Sequence, residues 1–154
     1  MVTVAPRIRV QSQDFDLQAE IDALTAGRRD IGAVVTFTGL CRDEQGALSA
    51  LELEHYPGMA EAEMLRIGKL AIERFSLLGL AAVHRYGKIR PGENIVLVIA
   101  AAPHRQAAFD GANFMMDFLK TSAPFWKKEH GADGSQGDWV SAKDVDDAAR
   151  EKWK

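Results

Sequence analysis

The chain of 154 residues has one cysteine, Cys41, which excludes an internal disulfide framework and any cysteine-clustered zinc site. No apolar run approaches the roughly 20 residues a membrane span needs, and Met1 to Val10 has no apolar core of a secretion signal. Charge of one sign is also missing. Lys plus Arg is 19 and Asp plus Glu is 22, so a net charge of -3 gives no overall pull toward nucleic acid or an anionic membrane. Neither G-x-G-x-x-G nor G-x-x-x-x-G-K-[ST] occurs, and there is no G-x-S-x-G elbow. The four histidines, His55, His84, His104 and His130, share no metal-ligand spacing, so no metal is expected. What is present, 47% hydrophobic and 27% charged residues, is the composition of a folded globular chain. These features predict a cytoplasmic protein with one domain over 1–154, partnered by neither nucleic acid nor membrane.

The patterning alternates between the two periods. Asp16 precedes Leu17, Ile21 and Leu24 at helical spacing, with Gly27 as the stop. Ile31 to Thr38 reads as a buried strand, and Leu48 to Tyr56 as a half-buried one with Leu51 and Leu53 inward and Glu52 and Glu54 outward. A helix from Met59 to about Leu78 follows, with Met64, Ile67 or Gly68, Ala71 and Phe75 as its inner stripe. Strands Ala81 to Ile89 and Asn94 to Ala102 flank Pro91-Gly92; the apolar run of the second suits a central strand, and Pro103 stops it. Gln106 to Lys120 returns to helical spacing, its Met115, Met116 and Phe118 reading as core packing. The glycine-rich stretch 131–138 is expected as a mobile loop, Trp139-Val140 as a short strand, and 141–154 as a charged C-terminal helix opened by Ser141 and Asp144. The order αββαββα plus a terminal helix predicts an α+β fold with mostly antiparallel strands.

Chemistry is concentrated in cations. His104-Arg105 follows the most apolar strand and opens a helix, a place that favours anions; the alternative is that both simply solvate a loop. Arg42 stands after another strand end, where an ordinary surface arginine is equally in keeping with the pattern. Lys120 closes a helix, as dipole electrostatics alone would favour, and Lys127 follows seven residues on, across Pro124 and the apolar pair Phe125-Trp126. Burying that pair lays a neighbouring lysine, Lys127 or Lys128, against apolar surface, which favours a neutral amine. Glu129 could instead pair with either lysine and make the cluster structural. Read from the residues alone, the pattern suggests a cleft for an anionic small molecule.

The segments GAVVTFTGLCRD (Gly32 to Asp43), LELEHYPGM (Leu51 to Met59), HRYGKIRPGE (His84 to Glu93), APHRQAAFDGANFMMDFLKTSAPFWKKE (Ala102 to Glu129) and Trp139-Val140 closely resemble the large, catalytic subunits of molybdopterin synthases. The likeness runs in matching order from about Val10 to the C-terminus, and the combination of LKTSAPFWKKE with HYPGM is specific. The resemblance implies an α/β hammerhead-type arrangement and a sulfur transferase of molybdenum cofactor biosynthesis. Its substrate would be cyclic pyranopterin monophosphate. Sulfur would arrive as a thiocarboxylate on the C-terminal glycine of a small ubiquitin-like partner, in a heterotetramer built on a homodimer of the large subunit. The resemblance places catalysis on Lys120 and Lys127 and further substrate contacts on Arg42, His104, Arg105, Lys128 and Glu129. Some relatives carry a lysine and an aliphatic residue where this chain has Leu40-Cys41, so only backbone contacts carry over there. Cys41 is expected as a buried thiol and not a sulfur carrier. No metal or cofactor is implied, because a thiocarboxylate is already a strong nucleophile. Two other readings stay open: a non-catalytic docking module for a ubiquitin-like protein, and an unrelated anion-binding enzyme of nucleotide or sugar-phosphate metabolism.

Overall fold

A computed structural model of the chain describes residues 4–43, 45–121, 124–140 and 153. In order the elements are β1 (Arg7–Gln11), α1 (Leu17–Thr25), β2 (Ala33–Leu40), β3 (Leu48–His55), α2 (Met59–Phe75), β4 (Gly79–Arg85), β5 (Gly87–Ile89), β6 (Asn94–Ala102), α3 (Arg105–Thr121) and β7 (Phe125–Gly131). They form a four-stranded sheet ordered β1-β4-β6-β2 and a three-stranded sheet ordered β5-β3-β7. Every pairing is antiparallel except β1 with β4. The α+β class is as the pattern predicts. Among the described residues no helix is long and apolar enough to cross a membrane.

β6 organises the larger sheet. Its Val96, Val98, Ala100 and Ala102 join a core with Met64, Ile67 and Ala71 of α2 and Ala108, Ala112 and Met115 of α3. Its Leu97, Ile99 and Ala101 face the other way, toward Leu24 of α1 and the half-buried Phe15 and Ile21. The two-residue period of a strand thus divides one apolar run between two cores. α1 starts where Ala19 N–H donates to the Asp16 carboxylate at 3.1 Å. Gly27, at φ +69°, follows its end.

Several boundaries differ from the sequence pattern, each for a local reason. β1 is an extra strand: Arg-Ile-Arg-Val-Gln is too short and too charged to stand out, yet Ile8 and Val10 pack on the core. α2 ends at Phe75 because Ser76 turns left-handed, φ 54° and ψ 48°, and Leu77 N–H returns to Ile72 O at 3.1 Å. The single strand expected over Ala81 to Ile89 is two strands in two sheets. Gly87, at φ +89°, lets the chain leave β4 and enter β5. The Phe125 to Glu129 cluster is strand β7, paired with β3 from His55↔Phe125 to Leu48↔Gly131. The glycine-rich stretch 131–138 folds back on β7: Gly131 N–H donates to Ser135 O at 2.8 Å and Gly137 N–H to Glu129 O at 2.9 Å. Val140 makes a single isolated bridge to Lys127 where a short strand is expected over Trp139-Val140. The helix expected over 141–154 lies outside the described residues apart from Trp153. That indole N–H donates to the Asp117 carboxylate, and Arg74 lies over its ring at 5.6 Å, tying α2 to α3.

One close approach has a direct consequence for stability. A Cβ on Gly32 would stand 2.2 Å from the carbonyl oxygen of Pro103, a backbone atom that cannot swing aside, whereas one on Gly137 would meet nothing closer than 3.7 Å. Gly32→Ala is expected to cost at least about 1–3 kcal/mol, a fall of roughly 2–4 °C in melting temperature for each kcal/mol. Gly137→Ala should leave the midpoint nearly unchanged. Equal midpoints for the two variants would contradict the close approach.

Candidate functional site

The described residues enclose a cavity of about 1030 Å³ where the two sheets meet the C-terminal turn of α3. Its floor is apolar: Leu51 and Leu53 of β3 with Ile95 of β6, close to the small core of Cys41, Leu53 and Ile89. Its rim is cationic, formed by Arg42 after β2, Lys120 in the last turn of α3 and Lys127 on β7. The α3 carbonyls end beside Lys120, and cation placement there is electrostatically favoured. Glu129 is the carboxylate on the same wall, and Ser135 and Gln136 of the folded-back turn close one side. Apolar floor, convergent polar rim and small-molecule volume are the common features of a ligand site.

The alternation of β7 sorts the predicted residues. Lys127 and Glu129 face the cavity, while Lys128 falls on the opposite face, with its ammonium 5.5 Å from the Trp139 ring centre. Lys128 is therefore not in the cavity wall. His104 and Arg105 are absent from it as well. They sit at the far end of β6 and the first turn of α3, fifteen residues before Lys120. At 1.5 Å per residue that puts Arg105 about 22 Å from Lys120 along the helix. Within one chain the structure thus brings together Leu40, Cys41, Arg42, Lys120, Lys127 and Glu129, and it separates His104, Arg105 and Lys128 from them.

Cys41 behaves as a packed thiol. It is 3% exposed, its N–H donates to Glu93 O at 2.8 Å, and its carbonyl accepts from Gly92 N–H at 2.7 Å. Burial pushes the thiol above its usual range, partly countered by a backbone hydrogen bond at Leu51; carboxylates of Glu93, Asp43 and Glu129 push further up. A thiolate is disfavoured there, which argues against a sulfur-carrier role. Among the described residues, no group of three His, Cys, Asp or Glu side chains is placed to hold a metal ion.

His84 is the wall residue that sequence reasoning overlooked. Its ring stacks on Phe125 with centroids 3.8 Å apart and planes 17° from parallel. Its Nδ1 lies 2.8 Å from Arg85 O, and a carbonyl only accepts, so Nδ1 carries the proton. Burial, then the nearby charges of Lys120 and His55, lower its pKa from 6.5 to about 4, against an opposing hydrogen bond to Arg85. The available signal was a titratable residue inside the otherwise apolar strand Gly-Leu-Ala-Ala-Val-His-Arg.

The fold and its cavity define a small α+β protein with a cation-rimmed, small-molecule-sized site between two sheets. The family model described as MoaE protein matches residues 10–122. The chain is 73% identical over 146 residues to a molybdopterin synthase catalytic subunit of Rhizobium meliloti (strain 1021), covering 95% of this chain and 94% of that one. A solved molybdopterin biosynthesis MoaE protein from Burkholderia ambifaria MC40-6 superposes with a TM-score of 0.83 at 46% identity, covering 96% of this chain and 97% of that chain. The fold also matches a protein–protein complex of subunits 1 and 2 of molybdopterin-converting factor from Helicobacter pylori 26695, with a TM-score of 0.68 at 19% identity over 90% of each chain. The chain belongs to the MoaE family.

The His84 geometry predicts a pH dependence of stability. Between pH 6.5 and about 4 the unfolded chain binds a proton on this histidine that the folded chain refuses. Stability present above pH 6.5 is therefore lost as pH falls toward 4, by up to about 3 kcal/mol. His84→Phe keeps the ring stack and removes that proton, so its unfolding midpoint should fall less steeply over this range than the wild type's. Identical slopes in denaturant titrations at several pH values would contradict the assignment.

Proposed function

We propose that this chain is the catalytic half of an enzyme that adds sulfur to cyclic pyranopterin monophosphate, making the dithiolene of molybdopterin. The observation that carries the reading is the cavity that gathers Arg42, Lys120 and Lys127 in a chain 73% identical to a molybdopterin synthase catalytic subunit. Sulfur comes as a thiocarboxylate on the C-terminal glycine of a small ubiquitin-like subunit; the two-subunit complex whose fold this chain shares is in keeping with such a partner. Sulfur enters at two carbons: at one the thiocarboxylate sulfur adds and the carbon's oxygen leaves as water, at the other it displaces the phosphate-ester oxygen and opens the cyclic phosphate; water cleaves the thioester each time, leaving two sulfurs on the pterin and a carboxylate on each spent partner. Lys120 moves protons during these steps. Arg42 and Lys127 neutralise phosphate and developing oxyanion charge, and a rim of fixed cations over an apolar floor makes those contacts stronger than in water. The reading includes no cofactor and is independent of Cys41.

His104 and Arg105 enter this reading through a second copy of the chain. One small phosphate ester does not bridge the about 22 Å between Arg105 and Lys120 within one protomer. β2 is an edge of the large sheet, and it exposes Val34, Phe37 and Leu40 at 38%, 42% and 52%. An exposed strand edge carrying large apolar side chains invites a symmetric partner. The homodimer reading therefore also supplies the missing cations, with one small subunit for each site. Lys128 contributes by holding Trp139 and not by touching substrate.

In conversion assays with thiocarboxylated partner, Lys120→Ala should lose about 10²–10⁴-fold in turnover with an unchanged melting temperature. Loss of less than tenfold would exclude it as the proton-transfer group. Mixing denatured Lys120→Ala and Arg105→Ala chains and refolding them together should restore activity, because a mixed dimer has one site with both residues intact. Absence of any recovery in a verified mixed dimer would contradict the shared site.

A further inference from the structure

His84 stands where the proposed reaction needs a fixed, uncharged acceptor. It lies on β4, next to Arg85, whose buried guanidinium donates to Ser12 O at 3.1 and 3.0 Å and to Asn94 O at 2.7 Å. That clamp joins β4 to the segment after β1 and to the start of β6, so the backbone that presents His84 is held from both sides. On the ring face, Phe125 stacks at 3.8 Å, and Phe125 is the β7 residue two positions before Lys127. The ring is thus locked between the two sheets at the cavity wall.

The tautomer follows from one contact. With Nδ1–H donated to Arg85 O, Nε2 keeps its lone pair, and no described residue donates to it. The same wall contains Lys120, whose positive charge is close enough to disfavour protonation of His84. Other charged or titratable groups facing this ring or its stack are His55, which stacks on Phe125 at 5.9 Å, and Lys127.

We propose that His84 is a positioning residue for Lys120: its Nε2, open at the cavity wall they share, accepts a hydrogen bond when the flexible Lys120 side chain turns from its exposed position in the structure toward the ring, and so aims the ammonium into the cavity. The role rests on the reading of Lys120 as the proton-transfer group. A lysine in the last turn of a helix has four rotatable bonds, and without an anchor its amine samples the whole rim. Glu129, the carboxylate on this wall, would anchor the amine at the cost of neutralising it. A neutral imidazole anchors it while leaving the charge available to substrate, which is why the tautomer matters.

The test uses the full-length protein with His84→Phe, which keeps the stack, and His84→Gln, whose side-chain carbonyl replaces the acceptor. Nitrogen-15 NMR reads the His84 tautomer and the proton exchange of the Lys120 ammonium, assigned by its loss in Lys120→Arg. Expected are a protonated Nδ1, slow ammonium exchange in wild type and His84→Gln, and fast exchange in His84→Phe. In the conversion assay kcat should fall about 10–100-fold in His84→Phe with KM nearly unchanged, and His84→Gln should recover most of it. An Nε2-protonated ring, or equal ammonium exchange in wild type and His84→Phe, overturns the proposal. Wild-type protein that shows the exchange pattern but converts no substrate supports the hydrogen bond and defeats the reading of the reaction instead.

Discussion

β6 can turn neither face to water: seven consecutive residues, Val96 to Ala102, are fully buried, four facing α2 and α3 and three facing α1. A strand with two apolar faces must be interior and covered on both sides, which fixes the α2–α3 layer, the α1 layer, and β4 and β2 as its neighbours. It also fixes where function can be. One end of β6, at Ile95, opens at the cavity; the other, at Ala102, delivers the chain through Pro103 to His104 and Arg105. Nine residues of strand span roughly 30 Å, and α3 then runs back to place Lys120 at the cavity. The distance between the two cation groups is set by the core and not by the site.

The second sheet converts that frame into a container. Leu53 of β3 and Ile89 of β5 pack with Cys41 into a second, small core, and β7 places Lys127 over it by alternation. The stack of His84 on Phe125 is a direct contact between the sheets at the cavity wall. The cavity keeps its shape because its apolar walls are already packed: Ile95 joins both cores and Phe125 of β7 packs on the larger one. Preorganised cations of this kind need little rearrangement when charge develops. The thiol of Cys41 is spent on packing and is held protonated there.

Much of this was readable from residue patterns. The run in β6, the capped start of α1, and the inner stripes of α2 and α3 each follow one period strongly, and each is where expected. β1 and β7 were not readable, because Arg-Ile-Arg-Val-Gln and Phe-Trp-Lys-Lys-Glu-His-Gly are defined by their partners β4 and β3 and not by their own composition. The break between β4 and β5 hangs on a single positive φ at Gly87. At the site, the residue types were legible and the distances were not. Arg42, Lys120, Lys127 and Glu129 converge, while Lys128 is turned away by one step of alternation and Arg105 by the length of a helix. Motif resemblance groups residues by type and order; it does not place them in one cavity of one chain.

The most direct measurement is a crystal structure of the protein with cyclic pyranopterin monophosphate bound. The pterin is predicted to lie over Leu51 and Leu53, within contact of Lys120 and Lys127, with its phosphate against Arg42 and against His104 and Arg105 of a second copy. Substrate bound elsewhere, for instance in the small cleft of Tyr56, Trp126 and Trp139 on the other side of β7, would contradict the account.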